Sequence, residues 1–473
     1  MFERKLMDQT RASELLFDQG TLVLSGWNAK AIERVFPAGW WSWDSRILAW
    51  RTYASRYTEV QELISQRSIG TTLLRPHWQK VLWSSISLPD LREEQSEAIN
   101  AWQQSKRGVV VMPTGTGKTE VALRIMANEA VSTLVVAPIR DLMYQWHRRI
   151  QMSLNYDAGI LGDGVNNVKA VTVTTYESAC IHMPTLGDRF QLLVFDECHH
   201  LPGGMRQDSA RMSIAPYRLG LTATPDRSDG NHRLYVDLIG ETVYRLSVKD
   251  VAGKSLAPYE VIRIPVHLTP QEQARYDHLG KQLSEFVYQR RQNVPQYDWQ
   301  TLCSEANQDP AARQALLWFR SRQAIEDRAT EKLRILEDLF RLHVGSPVLV
   351  FAGSNAMARE VSLRFLIPCL LSHCGKRERQ DYLDGLRDGT YPALIANQVL
   401  DEGVDIPAVK VAIVIGGKSS TRQAQQRLGR ILRKQGEEIA VLYEVVCRDT
   451  NEELASRKRR RNDAYTRTRH RRL

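Results

Sequence analysis

Residues 109–119 read VVVMPTGTGKT, an apolar run that ends in a loop of small residues closing on Gly117, Lys118 and Thr119. This is the pattern of a β-strand feeding a phosphate-binding loop. Gly115 and Gly117 lack side chains, so backbone N–H groups can turn inward around an anion, and the helix expected from Thr119 presents its positive end to the same phosphates. Lys118 is placed to neutralise the β and γ phosphates of a nucleotide, and the Thr119 hydroxyl to hold a magnesium ion. One position departs from the full G-x-x-x-x-G-K-[ST] spacing, because Met112 stands where its first glycine belongs.

Outward from this stretch, beginning near residue 88, short apolar runs at 109–112, 133–138, 171–176, 192–195 and 218–224 alternate with helix-length segments. The alternation predicts a parallel sheet covered on both faces. It recurs at 348–352, 393–398, 411–416 and 441–446, so a second sheet domain of the same kind is expected, this one without a phosphate loop. The run LLVF at 192–195 leads into Asp196, Glu197, Cys198 and His199. Ligands of open parallel sheets sit at the carboxyl ends of the strands, which lets this acidic pair face the phosphate loop. Asp196 is expected to bind magnesium and Glu197 to polarise the water that attacks the γ phosphate. Near the end, QRLGRILR at 426–433 sets Arg430 and Arg433 on one helical face, a spacing suited to arginine fingers that add positive charge as the γ phosphate departs.

The chain has 473 residues, 43% of them hydrophobic, enough for two to four domains with sizeable cores. No apolar run approaches the roughly 18 residues that span a bilayer, and the opening MFERKLMDQT has no secretory core. The six cysteines are scattered, as fits reduced thiols in a cytoplasmic protein rather than a disulfide or zinc framework. Of the net charge of +10, eight units lie in residues 457–473, where nine Lys or Arg face one Asp. Such a tail reads as a solvated end, a sequence-indifferent phosphate-grasping arm or a nuclear import signal. Residues 1–87 have a different texture: strand patterns at 21–27 and 40–53, a helical pattern at 55–67, and Trp27, Trp40, Trp41, Trp43 and Trp50. The rings suit either the core of a small α/β module or stacking on exposed bases.

In order along the chain, PTGTGKT, VVAPIRDLMYQW, VTVTTYESA, DECHH, LTAT, NQVLDEGVDIP and QRLGRILR resemble motifs I, Ia, Ib, II, III, V and VI of superfamily 2 helicases. FDQGTLVLSG with WDSRILAWRTYASRY, LREEQSEAI, RMSIAPYRLGLTATPDR and VLDEGVDIPAVKVAIVIGG most resemble the XPB-type helicases in their compact prokaryotic form. The likeness covers about residues 12 to 465. It implies an α/β fold with two tandem RecA-like parallel-sheet domains: an N-terminal damage-recognition-like domain at 1–87, RecA-like domain 1 at 88–250, a helical thumb-like insertion at 251–330, RecA-like domain 2 at 331–456 and the basic tail at 457–473.

The resemblance also implies a DNA-dependent ATPase that moves 3′ to 5′ or pries duplexes open, with ATP and Mg2+ as cofactors, single-stranded or forked DNA as substrate, and links to nucleotide excision repair and transcription. Carried onto this sequence, Gln95 contacts adenine and Asp405 the ribose, while Thr222 and Thr224 couple the ATP state to DNA grip. Arg140, Thr174, Tyr176 and Gln398 fall in motifs that line the nucleic-acid track, where contacts are mostly to phosphate and sugar. The family's Arg-Glu-Asp element aligns with Arg227, Ser228 and Asp229, so its middle acid is missing and strand separation is less directly implied than ATP hydrolysis. The alternatives are a restriction-type translocase motor, an RNA helicase, and an ATP-switched DNA-binding scaffold that loads a partner nuclease.

Overall fold

The strand runs of this chain are apolar at consecutive positions because each large sheet is covered on both faces. The structure is a computed structural model that describes residues 13–67, 70–76, 78–223, 234–247, 250, 259–371, 373–397, 409–416, 439–459 and 468–469. The chain divides into two units, Met1–Leu246 and Ser247–Leu473.

The first unit opens with an antiparallel sheet of β1 (Glu14–Asp18), β2 (Thr21–Ser25), β3 (Ser42–Asp44) and β4 (Ala49–Tyr53), ordered β1-β2-β4-β3. Helices α1 (Ala29–Val35) and α2 (Tyr57–Gln66) complete it. Trp27 and Trp41 are core residues of this module, joined there by Ile214 from the following domain. Trp43 instead exposes 49% of its surface, edge-on to Trp50 with ring centroids 5.2 Å apart. Core and surface roles are thus divided among the tryptophans. Residues 79–87 already run along the next domain, with Val81 N–H donating to Ala130 O and Ser87 N–H to Ser153 O.

That domain holds β5 (Arg107–Val111), β6 (Thr133–Ala137), β7 (Gly159–Gly162), β8 (Val165–Asn167), β9 (Val171–Thr175), β10 (Leu192–Phe195), β11 (Tyr217–Thr222) and β12 (Thr242–Arg245), in the order β12-β5-β11-β10-β6-β9-β7-β8. All neighbours are parallel except β7 and β8. Alternate residues serve opposite faces. Val110, Val135 and Val194 pack with α3 (Glu93–Ser105), α4 (Lys118–Glu129) and α5 (Arg140–Leu154), whereas Val109, Val136 and Phe195 pack with α6 (Tyr176–Leu186) and with Ala210 and Leu238 from α7 (Asp208–Arg211) and α8 (Leu234–Leu238).

In the second unit β13 (Tyr259–Val266), β14 (Val348–Ala352), β15 (Cys369–Leu370), β16 (Ala393–Ala396), β17 (Val411–Ile415), β18 (Ala440–Cys447) and β19 (Thr468–Arg469) form a parallel sheet ordered β15-β16-β14-β17-β18-β13-β19. The segment 251–330, expected as a helical insertion, therefore contributes a strand to this sheet. Its helical part is Pro270–Asn293, Trp299–Glu305 and Pro310–Asp327, with a small core of Tyr297, Leu302, Ala306, Ala312 and Ala315. The helix Asn451–Arg459 runs into the start of the basic tail.

Candidate active site

Sheet order brings three strand ends together. The phosphate-loop strand β5 pairs with β11, and β11 with β10, so the loop after β5, Thr222 at the end of β11 and the acidic pair after β10 emerge side by side. Gly115 and Gly117 hold φ of 89° and 88°, the left-handed region that only glycine enters freely. Gly117 is constrained twice, since a β-carbon there would lie 2.3 Å from Gln95 Nε2. It also precedes α4 without any side-chain cap, which leaves the first N–H groups of that helix to an anion. Lys118 Nζ donates to Met112 O at 3.2 Å, and Met112 N–H donates to Thr222 O at 3.0 Å. Met112 is itself fully buried. The loop uses this position through its backbone, and the side chain packs in the domain core.

Gln95, expected against adenine, is buried with its amide engaged. Its Nε2 donates to Thr116 O at 2.9 Å, and its Oε1 accepts from Arg92 N–H at 3.0 Å. In this state the side chain braces the phosphate loop.

Asp196 is buried and fixed at four atoms. Its N–H donates to Val136 O at 2.9 Å and its carbonyl accepts from Tyr176 Oη at 3.1 Å. Oδ1 accepts from Glu197 N–H at 3.0 Å, and Oδ2 from the Trp146 indole Nε1–H at 2.8 Å. Burial pushes its pKa up to about 6, with the Glu197 charge adding to the shift, while the Trp146 hydrogen bond and the Lys118 charge oppose it. Glu197 follows with φ 45° and lies 3.3 Å from His199 Nδ1. That imidazole, fully buried, is hydrogen-bonded at 3.0 Å to Thr222 Oγ1. Thr222 thus contacts both the acidic motif and the start of the phosphate loop.

Two expected nucleic-acid contacts are corrected by burial. Thr174 lies inside β9 with its hydroxyl donating to Leu161 O at 2.7 Å, and Tyr176 stacks on Phe195 in the core. Neither reaches the surface. Arg140 does, at the start of α5, paired with Asp163 at 2.6 Å. Thr224, Arg227, Asp229, Gln398, Asp405, Arg430 and Arg433 lie outside the described residues. Sequence reasoning passed over Trp146 and His199, whose partners Asp196 and Thr222 are 50 and 23 positions away.

A protein-only metal cage is not what this site offers: among the described residues no group of three or more His, Cys, Asp or Glu is placed to hold an ion. One buried carboxylate, a Thr hydroxyl in the first turn of α4 and an uncapped helix start instead suit magnesium held jointly with a nucleotide's phosphates.

The family described as "Type III restriction enzyme, res subunit" matches residues 88–227, and the "Helicase conserved C-terminal domain" matches 331–435. The "DNA 3'-5' translocase XPB2" of Sulfurisphaera tokodaii is 40% identical over 425 residues, 88% of this chain and 95% of that protein. The chain belongs to the XPB family of superfamily 2 helicases. Another XPB relative, the "DNA 3'-5' helicase XPB" of Kineococcus radiotolerans, is 29% identical across 77% of this chain but only 61% of its own length. This XPB chain therefore matches about three fifths of that longer relative. Among solved structures, the Pyrococcus furiosus Hef helicase domain aligns with a TM-score of 0.50 at 17% identity, covering 78% of this chain and 98% of that one, a likeness of fold.

Proposed function

We propose that this protein is an ATP-driven DNA translocase or helicase that moves 3′ to 5′ on DNA or opens it, in nucleotide-excision-type repair or transcription. The observation that carries the reading is the convergence of an uncapped phosphate loop, the Asp196–Glu197 pair and Thr222 at adjacent strand ends. Lys118 and the first N–H groups of α4 bind the β and γ phosphates, and Thr119 with Asp196 holds magnesium. Bound magnesium supplies positive charge beside those phosphates. Glu197 orients the attacking water and takes its proton. From motif position alone, Arg430 and Arg433 supply the cation for the departing phosphate and Asp405 contacts the ribose.

Arg140 grips the DNA backbone, with contributions from Gln398, and Thr222, Thr224, Arg227 and Asp229 relay the nucleotide state to that grip. The decisive experiment is steady-state ATP hydrolysis at low salt with no nucleic acid, single-stranded DNA, forked DNA or RNA, beside Lys118→Ala. Several-fold stimulation by DNA, abolished in Lys118→Ala, supports the motor. Stimulation by RNA alone moves the assignment to RNA, and hydrolysis indifferent to every nucleic acid rejects the autonomous motor.

A further inference from the structure

Asp196 is buried, and among the described residues its carboxylate is bonded by no cation: both oxygens are held by neutral N–H donors. One donor is the amide of its own neighbour Glu197, which fixes the side chain locally. The other comes from 50 residues upstream. Trp146 is 2% exposed and packs in the core between α5 and the sheet. An indole Nε1–H donates and never accepts, so it offers Asp196 one fixed direction and leaves the other lone pairs free. The same helix face carries Arg149, three residues on, which is ion-paired with Glu120 in the first turn of the phosphate-loop helix α4. The helix α5 is thereby pinned at one stretch to both halves of the nucleotide site, and its first residue is the exposed Arg140.

We propose that Trp146 is a positioning residue: its indole orients the Asp196 carboxylate toward the nucleotide's divalent cation and ties that orientation to the seat of α5. This rests on the reading of the site as a magnesium–nucleotide site. Because a hydrogen bond of 2.8 Å weakens steeply with displacement and angle, a small shift of α5 is felt at Asp196.

The test uses the full-length protein and Mn2+ as the paramagnetic probe. Binding of Mn2+·ADP is followed by loss of the free-Mn2+ spin signal, and binding of ADP in EDTA by calorimetry. In Trp146→Phe, which keeps a ring and removes the donor, affinity for Mn2+·ADP falls about tenfold while metal-free ADP binds as in wild type. Equal losses with and without metal, or none, overturn the proposal, because a purely structural tryptophan would lower the unfolding midpoint without selecting for the metal.

A second measurement needs no Trp146 variant. The indole 15N–H resonance that moves in Asp196→Asn belongs to the Trp146 contact, and it shifts when Mg2+·ADP is added to wild type. An unmoved resonance overturns the proposal even if Trp146→Phe fails to fold. Failure of wild type to bind Mn2+·ADP at all would reject the nucleotide-site reading, a result distinct from either of these.

Discussion

Two of the buried carboxylates, Asp196 in the first unit and Glu452 in the second, are satisfied in opposite ways. In the second unit Glu452 meets the fully buried Lys332, with Nζ 2.9 Å away, and also accepts from Cys447 N–H at 2.9 Å; Lys332 donates in addition to Glu326 O at 2.7 Å. Burial works against the Lys332 charge, but Glu452, with Cys447 and Asp327 adding to it, more than offsets the burial, so the lysine pKa is raised. Tyr276 bonds Glu326 on the same node, at 2.5 Å, so the helices Pro270–Asn293 and Pro310–Asp327 are rooted there. In the first unit the Asp196 carboxylate receives only neutral donors among the described residues, and burial pushes its pKa up. A buried charge matched by an ion pair anchors the packing around it, whereas Asp196 is held in a fixed direction at a strand end by neutral donors.

The largest effect follows from breaking the matched pair. Lys332→Met leaves Glu452 buried without the counter-charge it is bonded to, which costs about 3–5 kcal/mol, whereas Asp196→Asn removes a charge that has no ion pair among the described residues and changes stability far less. Urea unfolding with hydrogen exchange across β18 and the helix Asn451–Arg459 reads the first. Adding Glu452→Gln to Lys332→Met restores a good part of the loss. If Asp196→Asn proves as destabilising as Lys332→Met, the contrast between the two sites is wrong.

A buried arginine sharpens the comparison. Arg218, on β11, has no exposed surface and donates to four backbone carbonyls, those of Ala210, Ser213, Ala215 and Leu238, at 2.6–3.1 Å. It clamps the turn after α7 and the end of α8 to the strand that delivers Thr222. Arg218→Met orphans these carbonyls and is expected to cost on the order of 3 kcal/mol in the unfolding of the first unit. Arg218→Lys recovers little, because a compact ammonium cannot span four acceptors.

The sequence carries the nucleotide site clearly because its chemistry is local. VVVMPTGTGKT and DECH each place strand, turn and reactive group within a few residues, and the loop bonds to Met112 through its backbone while the side chain packs in the core. Features that depend on distant partners stayed hidden. The strand Tyr259–Val266 pairs with Ala440–Cys447, far along the chain, so its segment reads as part of a helical insertion. Thr174 and Tyr176 sit in a motif that borders a nucleic-acid track, yet motif position does not say which way a side chain points. In a strand buried on both faces the hydrophobic pattern does not say so either. Trp146 looks like any apolar residue of an amphipathic helix until the fold sets it against Asp196.

The smallest effect isolates the Asp196 charge itself. Asp196 has a folded-state pKa near 6 against an ordinary 3.8, so the folded protein takes up this proton before the unfolded chain does. The favourable contribution is complete below about pH 3.8 and is lost as pH rises through about 6. Between pH 7 and pH 5 wild type should gain roughly 1 kcal/mol over Asp196→Asn, whatever pH-independent cost the amide brings, because groups that do not interact with Asp196 cancel in the difference. Unfolding of both proteins at the two pH values, without nucleotide or metal, measures it. A gap that stays level would mean that Asp196 ionises as an ordinary carboxylate, and that solvent or a cation already answers its charge in the free protein.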